Sequence, residues 1–281
     1  MYKQACVISH IGQSRQQQED NFFLDGSYLL PEIQKQISLE NMPQVTKAIL
    51  QQKEIGLFAI SDGMGGHQSG EVASYLAVKS LSLLEERLRH CDSKQMAIHM
   101  CQEYIDTINK QMVSVSAQDK ALHNMGATLV MLLKYKDTEI IFNVGDSRVY
   151  FFDGKTLVQV TKDQTEGQRL LDLGLLTEEE VKRFPSRKHL SRYIGMPMKD
   201  CELRGACYEK AASKNGIYLL CSDGLSDVLE ISTMEEIMCQ HPSDITKCAN
   251  ALMEEALLKS KEIKHGDNIT IMLVEGGRYE K

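Results

Sequence analysis

The sequence predicts an α+β layered fold, and three observations carry that prediction. Apolar strand-like runs are grouped around long helical stretches instead of alternating strictly with them. The 281 residues are 42% hydrophobic and 25% charged, ordinary for a chain with a large core. There are 5 prolines, no repeat of fixed period and no evident linker, so one domain over residues 1–281 is expected.

The strands are expected at Ala5 to Ile8, Gly56 to Ile60, Ala127 to Leu133, Glu139 to Val144, Val149 to Phe152, Gly216 to Cys221 and Ile269 to Val274. Helices are expected at Gly70 to Arg89, Lys94 to Val115 and Asp244 to Glu262. In the first of these, Val72, Ala73, Leu76, Ala77, Ser80, Leu83 and Leu84 form a stripe at helical spacing. Tyr28 to Lys53 reads as a partly helical excursion. A second excursion, Gln164 to Gly195, has a helix start at Thr177-Glu178-Glu179-Glu180 and carries Arg183, Arg187, Lys188 and Arg192.

The net charge of −7 argues against a nucleic-acid partner, which calls for a basic face. No apolar run approaches the roughly 20 residues of a membrane helix, and Met1 to Ala5 opens no signal peptide. The 8 cysteines are scattered without a Cys-x-x-Cys pair, which suits a reducing cytoplasm. His99-x-Cys101 and Cys239-x-His241 each lack the second half of a zinc site.

One feature repeats. Three expected strands run into Ser61-Asp62-Gly63, Gly145-Asp146 and Ser222-Asp223-Gly224, and Gly266-Asp267-Asn268 precedes the last strand. A single Asp-Gly is ordinarily a turn. Several carboxylates at strand ends can instead converge, and their repulsion then calls for hard divalent cations such as Mg²⁺ or Mn²⁺. A glycine carbonyl can add a ligand. Near the start, Arg15 precedes Glu19-Asp20. Asp62-Gly63-Met64-Gly65-Gly66-His67 is no phosphate-cradling P-loop, because no Gly-Lys-Ser/Thr follows.

Together these stretches resemble the metal-dependent protein phosphatases of type 2C, the PPM family, in its bacterial branch. The resemblance is carried in order by Arg15…Glu19-Asp20, Asp62 to His67, Gly126-Ala127-Thr128, Gly145-Asp146-Ser147-Arg148, Ser222-Asp223-Gly224-Leu225 and Asp267-Asn268-Ile269-Thr270. It implies a four-layer α-β-β-α sandwich, two central antiparallel sheets flanked by helices, with a flap at about 164–196. It implies hydrolysis of phosphoserine and phosphothreonine in proteins by a hydroxide bridging two Mn²⁺ or Mg²⁺ ions, with a third ion in some bacterial members.

By motif position, Asp62 bridges the two metals and the Gly63 carbonyl binds one. Asp223 and Asp267 complete the first site, and Glu19 belongs to the second with Asp20 close behind. Asp146 with Asp223 matches the third site, and Arg15 matches the arginine that grips substrate phosphate. The implied partners are phosphorylated proteins, including Ser/Thr kinases or their substrates; a monomer without membrane or nucleic-acid partners is expected.

The chain departs from the family pattern at Met64, where some members carry a His proposed as general acid. Other departures are Gln18, Gln164 and Ala127, none expected to touch metal. His67 offers an alternative acid or a helix cap. Arg183, Arg187, Lys188 and Arg192 form a basic rim for phosphopeptides or an ordinary solvated surface. The alternatives in function are a catalytically weak regulatory or partner-binding member of the fold, or another two-metal phosphoester hydrolase.

Overall fold

The computed structural model describes residues 3–40, 43–50, 55–65, 69–199, 201–213, 215–264 and 266–276. Among the described residues, two six-stranded sheets face each other, and every named pairing is antiparallel.

The first sheet contains β1 (Lys3–His10), β3 (Gln44–Leu50), β8 (Arg148–Phe152), β9 (Leu157–Gln159), β11 (Ile217–Cys221) and β12 (Ile269–Glu275), in the order β3-β1-β12-β11-β8-β9. The second contains β2 (Asp20–Leu24), β4 (Ile55–Met64), β6 (Leu129–Tyr135), β7 (Thr138–Val144) and β10 (Ala206–Ala211), in the order β10-β7-β6-β4-β2, with the short β5 (Gly126–Ala127) extending the partner of β4.

Both faces of each sheet are covered, which is why the strands read as continuous apolar runs. Their side chains still alternate between two cores with period two. Phe58, Ile60, Val130, Leu132 and Ile141 meet Ala5, Val7, Val149, Tyr218, Leu220 and Met272 between the sheets. The alternate residues Leu57, Ala59, Met131, Leu133 and Phe142 pack outward against α2 (Gly70–Lys79), α3 (Leu81–Arg89) and α4 (Lys94–Gln118). On the opposite side, Cys6, Ile8, Leu219 and Leu273 pack against α8 (Ile231–Gln240) and α9 (Ile245–Ile263). The layers are helix, sheet, sheet, helix, as the resemblance implied.

Leu252 on α9 is fully buried in that last core. Leu252→Ala is expected to cost about 2–5 kcal/mol through lost transfer energy and a cavity, read as a lower urea midpoint at unchanged slope.

The long helices are capped as their sequences indicate. Ser93 accepts from the Met96 amide, and Asp244 accepts from the Thr246 and Lys247 amides. The helix expected over Gly70 to Arg89 is broken at Ser80, whose carbonyl receives the amides of both Leu83 and Leu84. The buried positions Ala77, Leu81, Leu84 and Leu88 keep helical spacing across the break, and Leu83, expected on the apolar stripe, is 71% exposed. Tyr28 to Lys53 holds one helix, α1 (Pro31–Glu40), as expected, and also β3, which pairs with β1.

The flap carries α5 (Glu166–Asp172) and α6 (Glu178–Arg183), and α6 opens on the Thr177–Glu180 capping box. Its return arm pairs Ile194 with Ala127, amide to carbonyl both ways at 2.8 and 2.9 Å.

Candidate active site

Asp62 lies in β4, directly opposite Asp20 in β2. Asp146 follows β7, Asp223 opens the short α7 (Asp223–Ser226) directly after Ser222 and β11, and Asp267 precedes β12. The topology therefore brings these strand ends, from both sheets, to one end of the sandwich. A cleft of about 290 Å³ there is lined by Arg15, Glu19, Asp62, Gly63, Asp146 and Asp223, and further by Asp267, Met64, Thr128, Lys188 and Leu190. Every sequence-predicted site residue except Asp20 stands on its wall. Asp20 is fully buried behind it.

The glycines in this motif have a steric reason. A Cβ on Gly63 would lie 1.9 Å from the Gly70 carbonyl oxygen, and one on Gly224 would lie 2.0 Å from that of Asn268. Gly224→Ala is expected to push the Asp267–Asn268 loop away and lower stability by roughly 1–3 kcal/mol, measured by thermal unfolding.

Hydroxyl and amide side chains fix the acids. Ser222 donates to Asp20 Oδ2 at 2.7 Å and itself receives the Thr270 amide at 3.0 Å. Thr128 Oγ1 receives the Asp62 amide at 2.9 Å and shares a 2.6 Å hydrogen bond with Ser147. Asn268 accepts from the Glu19 amide and donates to the carbonyls of Ile11 and Gln17, shaping the loop that bears Arg15. Gln18, one of the sequence departures, is buried and donates to Ser9. Gln164 receives the Gly145 amide at 3.1 Å and so ties the turn before Asp146 to the flap. Neither lines the cleft.

The electrostatics are those of uncompensated acids. Burial, and then the charges of Asp20, Asp223, Asp267 and Asp146, hold the Asp62 carboxyl well above the usual range. Asp223 is raised in the same way, by burial and by Asp146 and Asp227. Burial pushes Glu19, Asp20 and Asp146 up to about 7. One oxygen each of Asp20 and Asp223 is buried without a hydrogen-bond partner.

Arg15 forks onto Asp267, Nε to Oδ1 at 2.7 Å and Nη2 to Oδ2 at 2.8 Å. That bond, ahead of the neighbouring acids, raises its pKa. With Arg15 holding Asp267 and Ser222 holding Asp20, no three acids, thiols or imidazoles among the described residues are drawn around one point. The donor set nevertheless fits hard divalent cations: it is all oxygen, crowded, partly orphaned and short of positive charge.

Residues 46–260 match the protein phosphatase 2C family profile. The chain belongs to that family. The phosphatase is 33% identical over 226 residues to the serine/threonine phosphatase stp of Listeria welshimeri, covering 79% of this chain and 85% of that one. It is 31% identical over 227 residues to the serine/threonine protein phosphatase PstP of Mycobacterium tuberculosis, covering 80% of this chain and 41% of that one. The crystal structure of the M. tuberculosis phosphatase superposes with a TM-score of 0.75 at 27% identity, over 98% of this chain and 99% of that one. A PstP catalytic domain in complex with two manganese ions superposes at 0.73 and 26% identity, over 98% of this chain and 99% of that one. The chain is thus a metal-dependent serine/threonine phosphatase of the bacterial PPM branch.

Sequence reasoning missed Asp227. It lies four residues after Asp223, its amide bonded to the Asp223 carbonyl at 2.8 Å, and it faces both Asp146 and Asp223 electrostatically. The i,i+4 spacing was the available signal. Of the flap's basic residues, Lys188 lines the cleft. Arg192 lines a separate hollow beside β10 and donates to the Arg204 carbonyl. Gly66 and His67 lie outside the described residues, so the alternative acid at His67 has no structural counterpart here.

Proposed function

We propose that this cleft hydrolyses phosphoserine and phosphothreonine in proteins with two divalent ions, Mn²⁺ or Mg²⁺, held by the chain's own acids. Asp62 would bridge the ions, with the Gly63 carbonyl, Asp223 and Asp267 completing one site and Glu19 the other. Asp20 would act from behind. Asp146, with Asp223, is the remaining oxygen-donor corner. The reading treats residues 1–281 as one catalytic unit with a flap at about 164–196, acting as a cytoplasmic monomer on phosphorylated proteins that include Ser/Thr kinases or their targets. Among the described residues no helix is long and apolar enough to cross a membrane.

The observation that carries this reading is the Asp20–Asp62 cross-strand pair, with Asp20 fully buried. Like charges placed directly opposite destabilise a ladder unless something neutralises them. When bound, divalent ions supply that neutralisation and acidify a water into a nucleophile near neutral pH.

The protein's part is positional. Arg15 stays charged, and its planar fork matches two phosphate oxygens as well as it now matches Asp267. It would be free for substrate were Asp267 to take another cation. Among the described residues, no cysteine, histidine or serine lines the cleft. The hydroxyl of Thr128 is committed to Asp62 and Ser147. In this reading water attacks phosphorus directly. Met64 stands on the wall and carries no proton to give to the leaving alkoxide.

The test is phosphate release from a phosphothreonine peptide with Mn²⁺, beside a phosphodiester and a metal-free control. Release only from the monoester and only with metal is expected. Turnover of the diester at a comparable rate, or of the peptide without metal, would sink the reading.

A further inference from the structure

Lys188 is the second cation of the cleft and comes from the flap. The backbone on each side of it is fastened to the start of α5. The Gly167 amide donates to the Arg187 carbonyl at 3.0 Å, and the Glu166 amide donates to the His189 carbonyl at 2.8 Å. Leu190, two residues on, lines the cleft as well, and its neighbour bond pairs it with Thr165. Lys188 is thus presented by a braced arm. Its ammonium pairs with Asp227. Asp227 faces Asp146 and Asp223, the two acids away from Arg15. Arg15 serves the other side, bound to Asp267 and 3.9 Å from Glu19.

We infer that Lys188 is a built-in counter-ion on the Asp146–Asp223–Asp227 side of the cleft, standing where a third divalent ion would otherwise bind. This rests on the proposal that the cleft acids hold ions, and it concerns how many. A tethered ammonium needs no loading from solution, and it must be displaced before another cation can reach the same carboxylates. The two-ion centre around Asp62 is left alone, because among the described residues the ammonium of Lys188 pairs with Asp227 and not with Asp62 or Asp267. The phosphatase would then work with two ions and a lysine, and the flap would be held against the cleft by the same contact.

The experiment is a count of bound Mn²⁺ on the full chain, by equilibrium dialysis and by the paramagnetic resonance signal of the free ion. The wild type, Lys188→Met and Lys188→Arg are compared. Lys188 is half-exposed, so the variants are expected to fold. Saturation at two ions is expected for the wild type and the arginine variant, and at three for the methionine variant. Three ions in the wild type or in Lys188→Arg, or two in Lys188→Met, overturns the inference while leaving the cleft a metal centre. No bound ion in any of them overturns the reading of the cleft itself. If Lys188 instead grips the substrate phosphate, Lys188→Met raises KM with the count still at two, which also overturns the inference.

Discussion

Asp62→Asn is expected to abolish Mn²⁺-dependent hydrolysis and, at the same time, to raise the melting temperature of the metal-free protein. The two effects have one origin. The Asp62 carboxyl is enclosed and surrounded by Asp20, Asp223, Asp267 and Asp146, so its charge is unwelcome unless cations share the site. The amide keeps the shape and removes that charge. On the proposed reading it also removes a carboxylate that would help hold the ions, and a loss of about a thousandfold or more in turnover, roughly 4 kcal/mol of barrier, is expected. Phosphopeptide turnover at saturating Mn²⁺ and metal-free thermal unfolding read the two effects separately. Near-normal turnover would remove Asp62 from the site, and a lower metal-free melting temperature would contradict the electrostatic account.

The second large effect is a pH dependence that changes sign with metal. Glu19, Asp20 and Asp146 are raised to about 7 by burial, and Asp62 and Asp223 are held well above the usual range by burial and neighbouring acids. In the unfolded chain such groups titrate near 4. Between these values the native state keeps protons that the unfolded state has released. Stability is therefore complete below about pH 4 with respect to these groups and is lost as the pH climbs towards 7 and beyond. The metal-free protein should melt on the order of 5–10 °C lower at pH 8 than at pH 5. Ion binding needs the acids deprotonated, so the stabilisation by Mn²⁺ should grow over the same interval. A scanning-fluorimetry grid of pH against Mn²⁺ measures both. A metal-free melting temperature that is flat or rising from pH 5 to 8 would refute the assignment of buried, protonated acids.

Much of this centre was legible in the sequence because strand ends are points where a one-dimensional pattern fixes a three-dimensional place. An apolar run followed by Asp-Gly says both that the strand is buried and that its acid lies at the rim. The β4 and β11 carboxylates were found in that way, the β7 carboxylate by the Gly145-Asp146 pair after its strand and the β12 carboxylate by the Gly266-Asp267 pair ahead of its strand. What escaped depends on contacts made across the chain. The Arg15–Asp267 fork joins residues 252 positions apart, and no local pattern announces it. β3 and β10 escaped because edge strands carry polar residues: β10 alternates half-buried with exposed positions. The Ser80 break escaped because the buried stripe keeps its helical spacing through it. Asp227 escaped because it lies past the end of a four-residue helix, where only its i,i+4 spacing from Asp223 marks it.

The register that sets Asp20 against Asp62 has a consequence for the lifetime of the protein. β2 is the outermost strand of its sheet, and its first residue is one of the two opposed acids. An edge strand that begins at a repulsive pair is the natural place for the native state to fray, exposing Phe22 and Phe23 to proteases and chaperones. Manganese supply would then govern how long each copy survives in the cell as well as how fast it works.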